Sequence, residues 1–214
     1  MSVSNNSDAH RALYPPRVHL ETDEGKSMRV MEAYPFATML SAPNADEIVA
    51  TNLPLVLNRE RGPHGTLFGH LDSANPHARL LDGRPVTVLF HGPNAYLSPK
   101  VLTGNPLPTW NSISVHVRGT ATLLRDRTQL LDGIASISER SDPHDYELDY
   151  SHPRIAQIIG RVTGFEIRIH EIIGRFKVSQ DLDADNRARA AEAMAVVRHA
   201  DERAVIEASF GTVR

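Results

Sequence analysis

The chain contains no cysteine. That one absence excludes disulfides, iron–sulfur clusters, thiol nucleophiles and cysteine-bound zinc. Tryptophan occurs once, as Trp110. An excess of charge of one sign is missing too: 23 Lys and Arg stand against 26 Asp and Glu, a net charge of −3. Such a balance leaves no overall electrostatic footprint for nucleic acid or an acidic membrane, and either partner would need a local patch. No apolar run reaches the roughly 18 residues that a membrane-spanning helix needs. The opening MSVSNNSDAHRALYPP has no basic-then-apolar signal pattern. Together these absences predict a cytoplasmic protein.

What is present fits a folded chain. At 214 residues and 41% hydrophobic content, there is material for one large domain, or one domain with an appendage. The polar residues 1–12 read as a disordered N-terminus, 13–180 as the main domain, and 181–214 as an Ala-rich, charged, helical extension. A helix over Thr22 to Tyr34 leads into a strand over Phe36 to Ser41. Turn chemistry at Pro43-Asn44-Ala45-Asp46 then predicts a hairpin whose return strand, Glu47 to Leu57, is interrupted by Pro54. Thr66 to His70 forms a short strand. Asn75-Pro76 has the form of a helix cap followed by proline, with Gly83 as the stop.

Val86 to Phe90 predicts a strand ending in a Gly92-Pro93 turn. Thr109 to Leu124 alternates as a half-buried strand, with Ile113, Val115 and Val117 on one side and Ser112, Ser114, His116 and Arg118 on the other. Helices over Thr128 to Arg140 and Pro153 to Ile159 flank an acidic loop. Val162 to Ile173 alternates again, with Phe165, Ile167 and Ile169 facing one way and Glu166, Arg168 and His170 the other, before a turn at Gly174. Six or seven strands with short helices between them predict a β-barrel core of the α+β class, mainly β.

Two stretches carry the functional signal. Phe90 to Asn111 combines a strand, turns, Tyr96 and a Trp-Asn pair, and Gly174 to Gln180 reads GRFKVSQ. Aromatics and amides on turn-rich segments beside a rigid strand form the rim of a small-ligand pocket. Eleven histidines invite a metal reading, but their spacing gives no His-Glu-x-x-His and no paired helix positions. Ser112 and Ser114 lack a recognisable acid–histidine set, which argues against a serine hydrolase.

A series of motifs runs in order along the chain: Leu13-Tyr14-Pro15-Pro16, Thr51-Asn52-Leu53-Pro54-Leu55, Phe68-Gly69-His70, Ala74-Asn75-Pro76, Phe90 to Pro99 (FHGPNAYLSP), Pro108-Thr109-Trp110-Asn111 and Phe176-Lys177-Val178-Ser179-Gln180. This series resembles the PaiB-type family of FMN-binding split-barrel proteins, described as FMN-binding negative transcriptional regulators with a pyridoxamine-phosphate-oxidase-like fold. The resemblance spans roughly Tyr14 to Gln180. It implies a six-stranded split β-barrel with short peripheral helices, a homodimer, and FMN between the subunits. His19 and Asp181-Leu182 depart from the family pattern at its edges. No helix-turn-helix or basic recognition helix is evident, so direct DNA binding stays open. An FMN-dependent oxidoreductase acting on a small molecule and a haem-binding split barrel are the alternatives.

Under the flavin reading, candidate contacts follow from chemistry. A phosphate wants backbone N–H groups and hydroxyls at a strand-to-helix join: Gly69, His70, Ser73 and Asn75 fill that description, although an ordinary strand–turn–helix join explains them equally. The flavin ring wants an apolar slab and hydrogen bonds at its pyrimidine edge. Trp110, Asn111, Lys177 and Gln180 suit that role, and a core plug, a turn amide or a solvated lysine are their plainer uses. His91, Asn94 and Tyr96 would define a substrate pocket. No residue is assigned as catalytic.

Overall fold

The computed structural model describes residues 15–104, 107–142, 144 and 149–196. The expected disorder of 1–12 and most of the acidic loop lie outside them. The chain forms two compact units. The larger comprises Leu20–Gly92 and Ser114–Arg175; the smaller draws on Met1–His19, Pro93–Ile113 and Phe176–Arg214.

The larger unit is built on a sheet whose strands are β1 (Leu20–Glu21), β2 (Phe36–Ser41), β3 (Val49–Pro54), β4 (Val56–Asn58), β5 (Thr66–Asp72), β6 (Arg84–Leu97), β7 (Thr109–Leu123) and β8 (Val162–Lys177). Their order is β3-β2-β6-β7-β8-β5-β4, with β1 paired to β8. The pairings β2–β3, β2–β6, β4–β5 and β5–β8 are antiparallel. Leu53 of β3 and Gly69 of β5 lie close enough that a Cβ on Gly69 would stand 3.4 Å from the Leu53 side chain. Strands far apart in the order therefore touch, and the sheet curls around its core.

That core follows the predicted alternation. Val115 and Val117 on β7 and Phe165, Ile167 and Ile169 on β8 are buried, as are Met39, Leu55, Leu67, Val88 and Phe90. Each large side chain so buried contributes roughly 1.5–3 kcal/mol of transfer free energy. His77 is fully buried among them, and its ring is satisfied by Ser41 Oγ at 2.8 Å and Thr51 Oγ1 at 2.9 Å. Around the sheet lie α1 (Glu24–Ala33), α2 (Arg127–Ser141) and α3 (Pro153–Ile159). Asp23 and Asp126 cap α1 and α2 by accepting from Lys26 and Thr128 N–H groups, as acidic N-cap residues do.

Three sequence readings need correction. The expected six-stranded barrel has eight strands among the described residues, because Pro54 splits the return strand in two and Leu20–Glu21 adds a short strand against β8. Pro54 ends β3 against β2, and after Leu55 the chain re-pairs as β4 with β5. The Gly92-Pro93 turn does not form, since β6 runs on to Leu97. Its described register with β2 stops at Leu89, so the missing N–H of Pro93 breaks no bond of that ladder. Nor does the chain turn at Gly174. There β1 supplies a partner, Glu21 opposite Gly174 and Leu20 opposite Arg175, and β8 continues to Lys177.

In the smaller unit, α4 (Ala184–Val196) packs through Ala190 and Ala193 against Leu97 and Leu102. Asn186 fixes it by accepting from Thr103 N–H at 2.8 Å and donating to Thr103 C=O at 3.0 Å.

Candidate functional site

The candidate residues divide between the units, and each set is considered separately. In the smaller unit the ends of β6, β7 and β8 bring several together. Trp110 is 53% exposed and Tyr96 equally so. Their rings meet edge-on with centroids 6.2 Å apart, a favoured aromatic arrangement. Trp110 Nε1–H donates to Asn94 Oδ1 at 3.2 Å, which fixes the indole while leaving much of it open to solvent. The Lys177 ammonium donates to Thr109 Oγ1.

The other two candidates in this unit are engaged within the protein. Asn111 is fully buried. Its amide donates to Ser179 Oγ at 2.9 Å and its carbonyl accepts from the same hydroxyl at 3.1 Å. Gln180 donates to Val18 C=O at 2.6 Å and to Phe176 C=O, and accepts from Val178 N–H at 2.9 Å. It ties the N-terminal segment to the end of β8. Both amides hold the backbone that carries Trp110 and Lys177.

In the larger unit, Gly69 sits inside β5. A Cβ there would lie 2.5 Å from Leu55 and 2.9 Å from Phe165, so its bare face is filled by core side chains. Ser73 Oγ is paired with Thr163 Oγ1 at 2.9 Å. Asn75 caps the short 3-10 turn Pro76–Leu80 by accepting from His77 N–H. His70 differs: its Nδ1 is buried without a hydrogen-bond partner, and burial holds the imidazole pKa below its ordinary value. A neutral imidazole with an unpaired nitrogen is the expected state of a group awaiting a donor or acceptor.

Sequence reasoning missed a basic group on the outer face of the same unit. His116 is pushed toward its neutral form first by burial, then by His91, Arg118 and Arg175. Alternation along β7 had placed His116 and Arg118 on one face; only the strand order adds His91 of β6 and Arg175 of β8. His170 is bonded to Thr120 Oγ1 at 2.9 Å and Arg118 to Glu171 at 3.0 Å. Among the described residues no group of three or more His, Asp or Glu is placed to hold a metal ion, and no helix is long and apolar enough to cross a membrane.

The curled antiparallel sheet with short peripheral helices is a split β-barrel. Two solved structures share it: the FAD and heme binding protein from Mycobacterium smegmatis (TM-score 0.60, 16% identity, covering 80% of each chain) and a flavocytochrome from Azotobacter vinelandii (TM-score 0.57, 17% identity, covering 79% of this chain and 74% of that one). In sequence, the family described as "Putative FMN-binding domain" matches residues 13–171. The chain belongs to that family, of the PaiB type. The protein named Protease synthase and sporulation protein PAI 2 of Bacillus subtilis is 28% identical over 174 residues, covering 79% of this chain and 83% of the relative.

Proposed function

We propose that the protein binds FMN, works as a cytoplasmic homodimer, and acts as a negative regulator or flavin-dependent redox sensor. The observation that carries the flavin reading is the exposed Trp110–Tyr96 pair, held by Asn94 beside a sequence segment that bears the family motif. The donor set fits the group. Trp110 would wall the planar ring and Lys177 would offset negative charge at its pyrimidine edge. When bound, FMN supplies reversible electron and hydride transfer.

This chain's own residues shape what such chemistry can do. His70 and His116 are both biased to the neutral imidazole, so at neutral pH the charge opposing a phosphate must come from arginine or lysine. Among the described residues no side chain stands out as a general acid, and we read this as favouring a sensing role over turnover. The net charge of −3 gives no support to non-specific DNA binding, so regulation would run through a local patch or a protein partner.

The test is titration of purified protein with FMN, followed by flavin absorbance and fluorescence, with Trp110→Ala and Lys177→Met in parallel. Saturable binding that weakens in both variants supports the reading. Failure to bind micromolar FMN, or a haem spectrum from the purified protein, would overturn it. Light scattering with and without FMN tests the dimer.

A further inference from the structure

A cavity of about 540 Å³ lies in the larger unit, lined by α2, the β4–β5 region and β8. None of the residues expected to bind flavin lines it. Its volume falls within the roughly 300–1,000 Å³ of small-ligand sites. One side is apolar, from Val56, Leu57 and Phe68.

The opposite side is unusual for a helix on a sheet. An amphipathic helix normally turns its apolar stripe inward. Here Gln129, Asp132, Gly133, Ser136 and Arg140, at i, i+3, i+4, i+7 and i+11 of α2, all line the cavity. Gly133 allows the close seating: a Cβ there would fall 2.1 Å from the Phe68 ring. A polar helical face brought against an apolar floor with space left between them is an arrangement that packing alone does not require.

The charges select the ligand. Arg59 is bound in bidentate fashion by Glu32, at 2.7 and 2.6 Å. Arg61 is bound likewise by Glu166. These two guanidinium groups are already matched. With Glu60 and Asp132 the lining carries four carboxylates against three arginines, which disfavours a polyphosphate. Arg140 is engaged less closely: its Nη1 makes only a long ion pair with Glu32, at 4.0 Å and beyond hydrogen-bond reach. The Asp132 carboxylate makes no hydrogen bond among the described residues and acts on Tyr150 through its charge alone. One cationic donor and one anionic acceptor thus stand available on the same helix.

Their spacing sets the length. Asp132 and Arg140 are eight positions apart, about 12 Å of helix axis at roughly 1.5 Å per residue. An extended peptide of two or three residues, at about 3.3–3.6 Å each, spans most of that distance, and the long Arg140 side chain can make up the difference. We propose that this cavity binds a short peptide of two or three residues, its free amine on Asp132, its carboxylate on Arg140 and an apolar side chain on Phe68. The site is independent of the flavin reading.

Calorimetric titration of the full-length protein with glycyl-L-phenylalanine tests it, beside the N-acetylated and C-amidated forms of the same dipeptide. The expected result is saturable binding that either block weakens by roughly tenfold, the scale of one charge-assisted hydrogen bond. Asp132→Asn should abolish the penalty for acetylation and keep that for amidation; Arg140→Gln should do the reverse. Both side chains are solvent-accessible, and thermal melts confirm that the variants fold. No saturable binding of the free dipeptide, or binding indifferent to both blocks or to both substitutions, would overturn the proposal.

Discussion

Asn111 and Ser179 form a closed pair: the amide donates to the hydroxyl and the carbonyl accepts from it. Both residues are buried, and Ser179 holds a φ of 59°, a left-handed conformation that costs a non-glycine residue about 1–3 kcal/mol. The pair pins the bend that follows β8, between Lys177 and Gln180, to the strand that carries Trp110. Asn111→Ala should therefore lower unfolding free energy by about 1–3 kcal/mol, the cost of an orphaned buried polar group. Chemical denaturation measures it. Unchanged stability would mean that the Ser179 conformation is supported by the backbone alone.

Gly69 allows two roles to be separated. If its value lies in core packing, Gly69→Ala should destabilise the fold by about 1–3 kcal/mol through overpacking, because the added methyl meets Leu55 and Phe165. FMN affinity, measured under conditions where the variant stays folded, should be little changed. A loss of FMN affinity in a variant of normal stability would restore the phosphate-approach role.

Much of the architecture was legible in local chemistry. Phe36 to Ser41 and Pro153 to Ile159 form the predicted elements residue for residue, because turn residues and proline at a helix start are strong, local signals. The same signals misled at Gly92-Pro93 and Gly174. Whether glycine or proline breaks a strand depends on which neighbour offers a ladder there, and that is a tertiary fact. The site was less legible still. Asn111 and Gln180 carry the chemistry of ligand contacts, yet their amides close bonds to Ser179, Val18 and Phe176, distant or hidden in sequence. Nothing local in the sequence of α2 shows that Phe68 lies against Gly133.

As the sole tryptophan, Trp110 reports on one place. Its 53% exposure predicts ready quenching of its fluorescence by acrylamide in the FMN-free protein. FMN should protect it, since a stacked ring covers the exposed face. Asn94→Ala releases the indole N–H at an exposed site, so fold stability should change by less than about 1 kcal/mol, while FMN affinity falls because the ring loses its fixed orientation. FMN that binds without protecting Trp110 would place the flavin elsewhere.

Stability should also depend on pH in a window set by histidine. Burial holds the folded-state pKa of His77, His70 and His116 below the ordinary value of 6.5. An unfolded chain therefore takes up protons near that pH while the folded chain does not, and linkage makes stability rise with pH. The contribution is complete above about pH 6.5 and is lost as pH falls toward the folded values. Carboxylates such as Glu32 and Asp183 are lowered from 4.5 and 3.8 by their hydrogen-bond partners, so their losses begin only at more acidic pH. Between about pH 5 and 7 the histidines dominate the slope. His77→Gln should reduce stability at pH 7.5, because Ser41 and Thr51 lose a shared partner, and should also flatten the slope below pH 6.5. Urea denaturation across that range checks both effects. A wild-type stability that stays level from pH 7.5 to 5 would show that these imidazoles protonate as readily in the folded chain as in the unfolded one.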